Sequence, residues 1–265
     1  MTYEDTVQFM KDLGYFHAAC WGEPVSNDAG LGPFRAHWQN LNDDYWEDGE
    51  TTWVKAVPKW EDVYGESLLS MVSEEVGETI KKLVDIYASK NGKKIQEELL
   101  KELQKRPRTI THGDARGNNI FKSKNDGSMG IIDWQMWVAG PASNEFGQVW
   151  FNSFSLESGM IHRFEELTKT YYESLCSHKP EIREEYPFDQ MMIDIKLLFI
   201  NIILLFYSNI SHCQDHFEGK KRNDLGFKYK SRVLKTSFKK IDSFKFKFSL
   251  IDTNSISGVI IPFLA

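Results

Sequence analysis

Val7, Met10, Leu13, Phe16 and Ala19 recur every three residues, which places them on one face of a helix over residues 4–19. Residues 22–33 (GEPVSNDAGLGP) break that pattern and read as a loop, because Gly, Pro, Asn and Asp favour turns. Helical spacing returns from about residue 60. It predicts helices over 65–89 and 93–105, separated at Asn91-Gly92 and stopped before Pro107. Two short apolar runs follow, 118–122 and 129–134, joined by the turn-rich KSKNDGS, and they predict a β-hairpin. Helical patterns then cover 143–157, 159–177 and 188–211. Helices, one small hairpin and more helices make an α+β chain that is mainly α-helical, and they exclude a doubly wound sheet.

Composition narrows the class. At 265 residues with 41% apolar and 26% charged side chains, the chain has the make-up of an ordinary globular protein. A net charge of −6 argues against nucleic acid as a general partner, since that binding needs a basic footprint. Cys20, Cys176 and Cys213 are sparse and widely spaced, which fits a reducing compartment. The acidic, amphipathic first residues are not a signal peptide, so a cytoplasmic location is expected. The most apolar run, Leu197 to Tyr207, is too short for a membrane span, which takes about 20 residues.

The candidate chemistry lies in Thr111 to Gln135 (THGDARGNNIFKSKNDGSMGIIDWQ). Asp114 and Asn119 flank a tight loop leading into the first strand. Asp133 stands at the end of the returning strand, so the hairpin brings it toward Asn119. Phosphoryl transfer needs such a set: one carboxylate to orient a hydroxyl and take its proton, and further oxygens to hold Mg²⁺ on the phosphates of ATP. Hard oxygen ligands without a nearby His/Cys cluster favour Mg²⁺ over zinc. Gly113 lets the backbone bend beneath the loop. Arg116 reads either as a phosphate contact or as a surface salt bridge, and Trp134 as core behind the catalytic loop.

HGDARGNNIF followed by IIDWQ resembles the motifs shared by aminoglycoside phosphotransferases, choline kinases and ecdysteroid-kinase-like proteins (CHK kinase-like). The resemblance implies a protein-kinase-like fold and ATP-dependent phosphorylation of a hydroxyl on a small-molecule substrate. It makes Asp114 the catalytic base, Asn119 and Asp133 the Mg²⁺ and nucleotide ligands, and His112 a brace for the loop. LGYFHAACWGEP at 13–24 is similar to the first large helix of the family's C-terminal lobe, and Gly140-Pro141 also fits. Where the family usually anchors its catalytic loop with an Asp-Leu pair, this chain has Glu145-Phe146, whose reach differs.

On this reading residues 1–220 form a kinase-like C-lobe, with the catalytic loop at 111–122 and the metal-binding strand end at 129–135. Residues 221–265 form a basic tail. Neither a Gly-rich loop nor a strand lysine for the phosphates is visible, because Gly30-Leu31-Gly32-Pro33 and Lys55 read as structural. The β-rich N-terminal lobe is therefore expected to be absent and turnover to be weakened. The rival is a catalytically silent kinase-like interaction module. Asn40 to Glu50 reads as a solvated acidic loop or, alternatively, as a cradle for a cationic substrate. His212, Cys213 and His216 read as a polar helix end.

Overall fold

The computed structural model describes residues 1–22, 102–103, 105–153 and 163–198. All of them lie in one compact unit, Met1–Leu41 with Lys101–Phe199. The second unit, Asn42–Leu100 with Ile200–Ala265, lies outside the described residues. So do the expected helices at 65–89 and most of 93–105, Lys55, the acidic Asn40 to Glu50 stretch, the His212–His216 cluster and the basic tail.

The first helix, α1, spans Tyr3–Ala19. Thr2 caps it: its side chain accepts from Asp5 N, and the Asp5 carboxylate accepts from Thr2 N. This reciprocal box satisfies two amide donors that a helix start otherwise leaves open, and Glu4 and Asp5 complement the positive end of the helix dipole. Phe9, Met10 and Leu13 are buried, and each such side chain contributes about 1.5–3 kcal/mol by leaving water. They face α3 (Phe164–His178), the main packing partner of α1. α1 ends near Gly22, whose positive φ of 74° turns the chain so that its N–H donates to Arg108 O at 2.8 Å. Thr109 Oγ1 donates to His17 O at 2.8 Å just beyond. These two bonds attach the start of β1 to the end of α1.

Four strands of three residues follow: β1 (Thr109–Thr111), β2 (Ile120–Lys122), β3 (Met129–Ile131) and β4 (Val138–Gly140). β2 and β3 form the expected hairpin, with Ile120 opposite Ile131 and Phe121 opposite Gly130. The strands are shorter than the apolar runs predicted. Residues 117–119 make a 3₁₀ turn, and Asp133, in the left-handed region, ends the return strand before another 3₁₀ turn at 134–136. The sequence pattern missed β1 and β4, which pair antiparallel with Thr109 opposite Gly140. One pair therefore encloses the other in the chain, and both loops between them, 112–119 and 132–137, fall in the same region.

A 3₁₀ turn at Ala142–Glu145 leads into α2 (Phe146–Ser153). After α3 come a short α4 (Ile182–Glu185), which periodicity did not predict, and α5 over 188–198. Phe146, Trp150, Leu167, Tyr171, Leu175, Ile182, Tyr186 and Ile195 form the core with the α1 residues. Asp194 is buried within it and fully engaged. It accepts from Arg106 Nε (2.8 Å), Arg106 Nη2 (3.2 Å), the Tyr186 hydroxyl (2.7 Å) and Gln190 Nε2 (2.9 Å). A buried carboxylate is tolerated when every lone pair is used in this way. The described part is thus helix-rich with two small antiparallel sheets, an α+β arrangement. Among the described residues no helix is long and apolar enough to cross a membrane.

Candidate active site

β1 runs directly into His112-Gly113-Asp114, and Gly113 takes a positive φ of 78°, which favours glycine. His112 is buried, and both its ring nitrogens are used. The Asp114 N–H donates to Nδ1 (3.2 Å), so the ring proton sits on Nε2 and goes to Ile132 O (2.9 Å). The Trp134 ring packs on His112 edge-on, with centroids 4.7 Å apart, and its Nε1 donates to Ile131 O. His112 therefore ties the loop before Asp114 to the loop around Asp133 and has no nitrogen left for proton transfer.

Asp114 is half-buried. Its Oδ2 accepts from Asn119 Nδ2 (3.3 Å) and lies 3.2 Å from Arg116 Nε. Its Oδ1 has no partner among the described residues. Asn119 Nδ2 also donates to Asp114 O (2.9 Å). The amide nitrogen of the buried Asn119 side chain is turned toward Asp114, and its carbonyl oxygen, which has no partner among the described residues, is of a kind that suits a cation. The Ile132 N–H donates to Asn119 O at 2.9 Å, which continues the hairpin register and leaves Asp133 one residue beyond that bond. Asp133 is exposed and holds φ 69°, ψ 55°.

The structure thus gathers Asp114, Asn119, Arg116 and His112 in one loop and brings the Asp133 segment alongside. Among the described residues no three His, Cys, Asp or Glu side chains gather as a metal cage. An amide oxygen and one carboxylate beside phosphate oxygens suit Mg²⁺, which keeps waters and few protein ligands.

The anchor is Glu145. With its longer side chain it reaches the loop before Asp114: Oε2 accepts the His112 N–H at 2.6 Å and Oε1 the Gly113 N–H at 3.1 Å. It is completely buried. The 3₁₀ turn that carries it supplies the reach that the sequence left in question. Asn144 beside it donates to Thr111 Oγ1 at 3.3 Å, a second tie to the same strand.

Residues 60–183 match the APH phosphotransferase enzyme family. The match covers just under half of the chain, takes in residues 111–122, Asp133 and Glu145, and leaves α1 outside. It agrees with the aminoglycoside phosphotransferase and choline kinase likeness of the HGDARGNN and IIDW motifs. No curated protein matches the chain.

Sequence reasoning missed three further features here. Phe121 and Ile132, in the two apolar runs of the hairpin, are 50% and 53% exposed. A Cβ at Gly130 would lie 2.6 Å from the Phe121 ring, so glycine there lets the ring fold over the strand pair. The third feature is the buried contact between His17 and Glu145, at 3.6 Å. Its only trace in the sequence is the His in FHAA.

Proposed function

We propose that this chain transfers the terminal phosphoryl group of ATP to a hydroxyl of a small molecule, in the manner of the CHK-like branch of the phosphotransferases. The observation that carries the reading is the division of labour between Asp114 and Asn119. One oxygen of Asp114 is engaged by Asn119 and Arg116, and the other has no partner among the described residues. Asn119 presents its nitrogen to Asp114 and keeps its oxygen for a cation.

In this reading the open Asp114 Oδ1 accepts a hydrogen bond from the acceptor hydroxyl and orients its oxygen toward the terminal phosphorus. As the new P–O bond forms and the bond to the ADP oxygen breaks, the hydroxyl proton passes to Asp114. Asn119 and Asp133 are the residues that would hold Mg²⁺, which when bound offsets charge on the phosphate oxygens. Arg116 is half-exposed, which lets it leave Asp114 for a phosphate oxygen. Phe121 and Ile132 are exposed apolar side chains of the hairpin that follows Asn119, of a kind that suits the flat face of a purine.

The test is a Mg²⁺-dependent thermal shift with ATP, followed by phosphate transfer to a panel of alcohols. Asp133→Ala is expected to abolish the Mg²⁺-dependent shift. Asp114→Asn is expected to keep the shift and lower turnover by roughly 10²–10⁴-fold. A folded chain with no Mg²⁺-dependent nucleotide binding would overturn the reading.

A further inference from the structure

Three buried polar side chains, none part of the proposed chemistry, meet beneath the catalytic loop. His17 comes from α1, Tyr171 from α3 and Glu145 from the turn before α2, and all three are fully buried. The Tyr171 hydroxyl and His17 Nδ1 are 2.7 Å apart. On the other side of the ring, His17 Nε2 is 3.6 Å from Glu145 Oε2. That is too long for a hydrogen bond, and Nε2 has no hydrogen-bond partner among the described residues. The Tyr171 ring packs edge-on against both His17 and Phe146, which fixes its direction.

The positions of the protons follow from satisfiability. Burial pushes the Tyr171 phenol well above its usual range, and the Glu145 charge adds to the effect, so the hydroxyl keeps its proton. Its hydrogen-bond partner among the described residues is His17 Nδ1. A buried O–H must donate somewhere or lose the bond it made to water. Tyr171 therefore donates and Nδ1 accepts. A neutral ring then carries its proton on Nε2, and the N–H dipole points toward the Glu145 carboxylate. The opposite tautomer would turn a lone pair on that carboxylate and leave the Tyr171 proton without an acceptor.

We propose that Tyr171 is a positioning residue for the catalytic loop: by donating to His17 Nδ1 it holds the His17 N–H toward Glu145, the carboxylate that carries the His112 and Gly113 amides. α3 is thereby connected to the loop through two side chains, with no contact between Tyr171 and any reacting atom. The proposal rests on the phosphotransferase reading only for its effect on turnover. The proton arrangement stands independently of it.

The experiment is ¹⁵N-histidine NMR of the full chain and of Tyr171→Phe, which removes the donor and little volume. In the unsubstituted protein His17 is expected as a single tautomer, protonated on Nε2 alone. In Tyr171→Phe it is expected to populate both tautomers, with displaced His112 and Gly113 amide signals and an unchanged helical circular dichroism spectrum. Where turnover is measurable, kcat falls by about ten- to a hundredfold with the acceptor KM unchanged, as displacement of a positioned group does. A proton on Nδ1 in the unsubstituted protein overturns the proposal, as does a Tyr171→Phe spectrum in which the His17 tautomer and both amides stay where they were. Should the variant fail to fold, the unsubstituted spectrum decides alone. A chain that transfers no phosphate but shows the expected spectra refutes the phosphotransferase reading and leaves the proton arrangement in place.

Discussion

Among the described residues Asp133 is the one non-glycine residue with a positive φ. Asp tolerates this region better than most side chains, yet glycine adopts it without penalty. Two variants therefore separate strain from chemistry. Asp133→Ala and Asp133→Gly should both lose Mg²⁺-dependent nucleotide binding. In urea denaturation Asp133→Gly is expected to be the more stable of the two by about 1 kcal/mol, because alanine keeps the strain and glycine releases it. Equal stability would mean that the backbone at Asp133 relaxes when its side chain is gone. The proposed ligands were legible in the sequence because they sit within 20 residues on a single local hairpin. The Glu145 anchor was only half legible. The charge shows in the chain, but its reach depends on a 3₁₀ turn and on α1, whose His17 is 128 residues away. The exposure of Phe121 and Ile132 was not legible, because an apolar residue in a short hairpin gives no sign of which side lies open.

α1 was readable almost to its ends from its apolar stripe, although the face it buries runs through Phe9, Met10, Leu13 and His17 and leaves Ala19 exposed. The closeness of its approach to α3 was not readable. A Cβ on Gly14 would lie 2.6 Å from Tyr171 O and 2.9 Å from Leu175 N, and these are backbone atoms that cannot turn aside. Helix propensity alone predicts that Gly14→Ala gains up to about 1 kcal/mol. Forcing the helices apart costs about 1–3 kcal/mol and should win. The expected result is a lower Tm, and because Tyr171 belongs to the same contact, a displaced His17 signal as well. A raised Tm would show that α3 gives way at this crossing. β1 and β4 stayed invisible for a different reason. Three residues are too few to show alternation, and their pairing is set by contacts 27 to 31 residues apart. Such pairing is a tertiary fact that local propensity does not hold.

Over the described part of the molecule, acid sensitivity is a summed property of surface carboxylates. Ser123 and Ser128 hold the Asp126 carboxyl down to about 2. Lys122 and the Thr2 amide hold Asp5 below its usual range, and Arg183 does the same for Glu173. Each of these groups is more acidic in the folded chain than in the unfolded one. The stability it contributes is complete above the unfolded carboxyl range and is lost as the pH falls toward about 2. Tm should therefore drop steadily below about pH 4.5. Asp126 and Glu173 are exposed and Asp5 is half-buried at the surface, so each effect is small, and salt separates their causes. Exposed ion pairs are screened at 1 M salt, where the Debye length is about 3 Å. The Glu173 contribution should then shrink, and that of Asp5 only in part, because the Thr2 amide also holds its carboxylate. That of Asp126 should persist, because neutral hydroxyl and amide donors supply it. In high salt Asp126→Asn should still flatten the acid limb of the Tm profile, Glu173→Gln should leave it close to that of the unsubstituted chain, and Asp5→Asn should fall between, because the neutral Thr2 donors still hold Asp5 when Lys122 is screened. If all three variants responded to salt alike, long-range charge rather than local hydrogen bonding would govern the acid response of this surface.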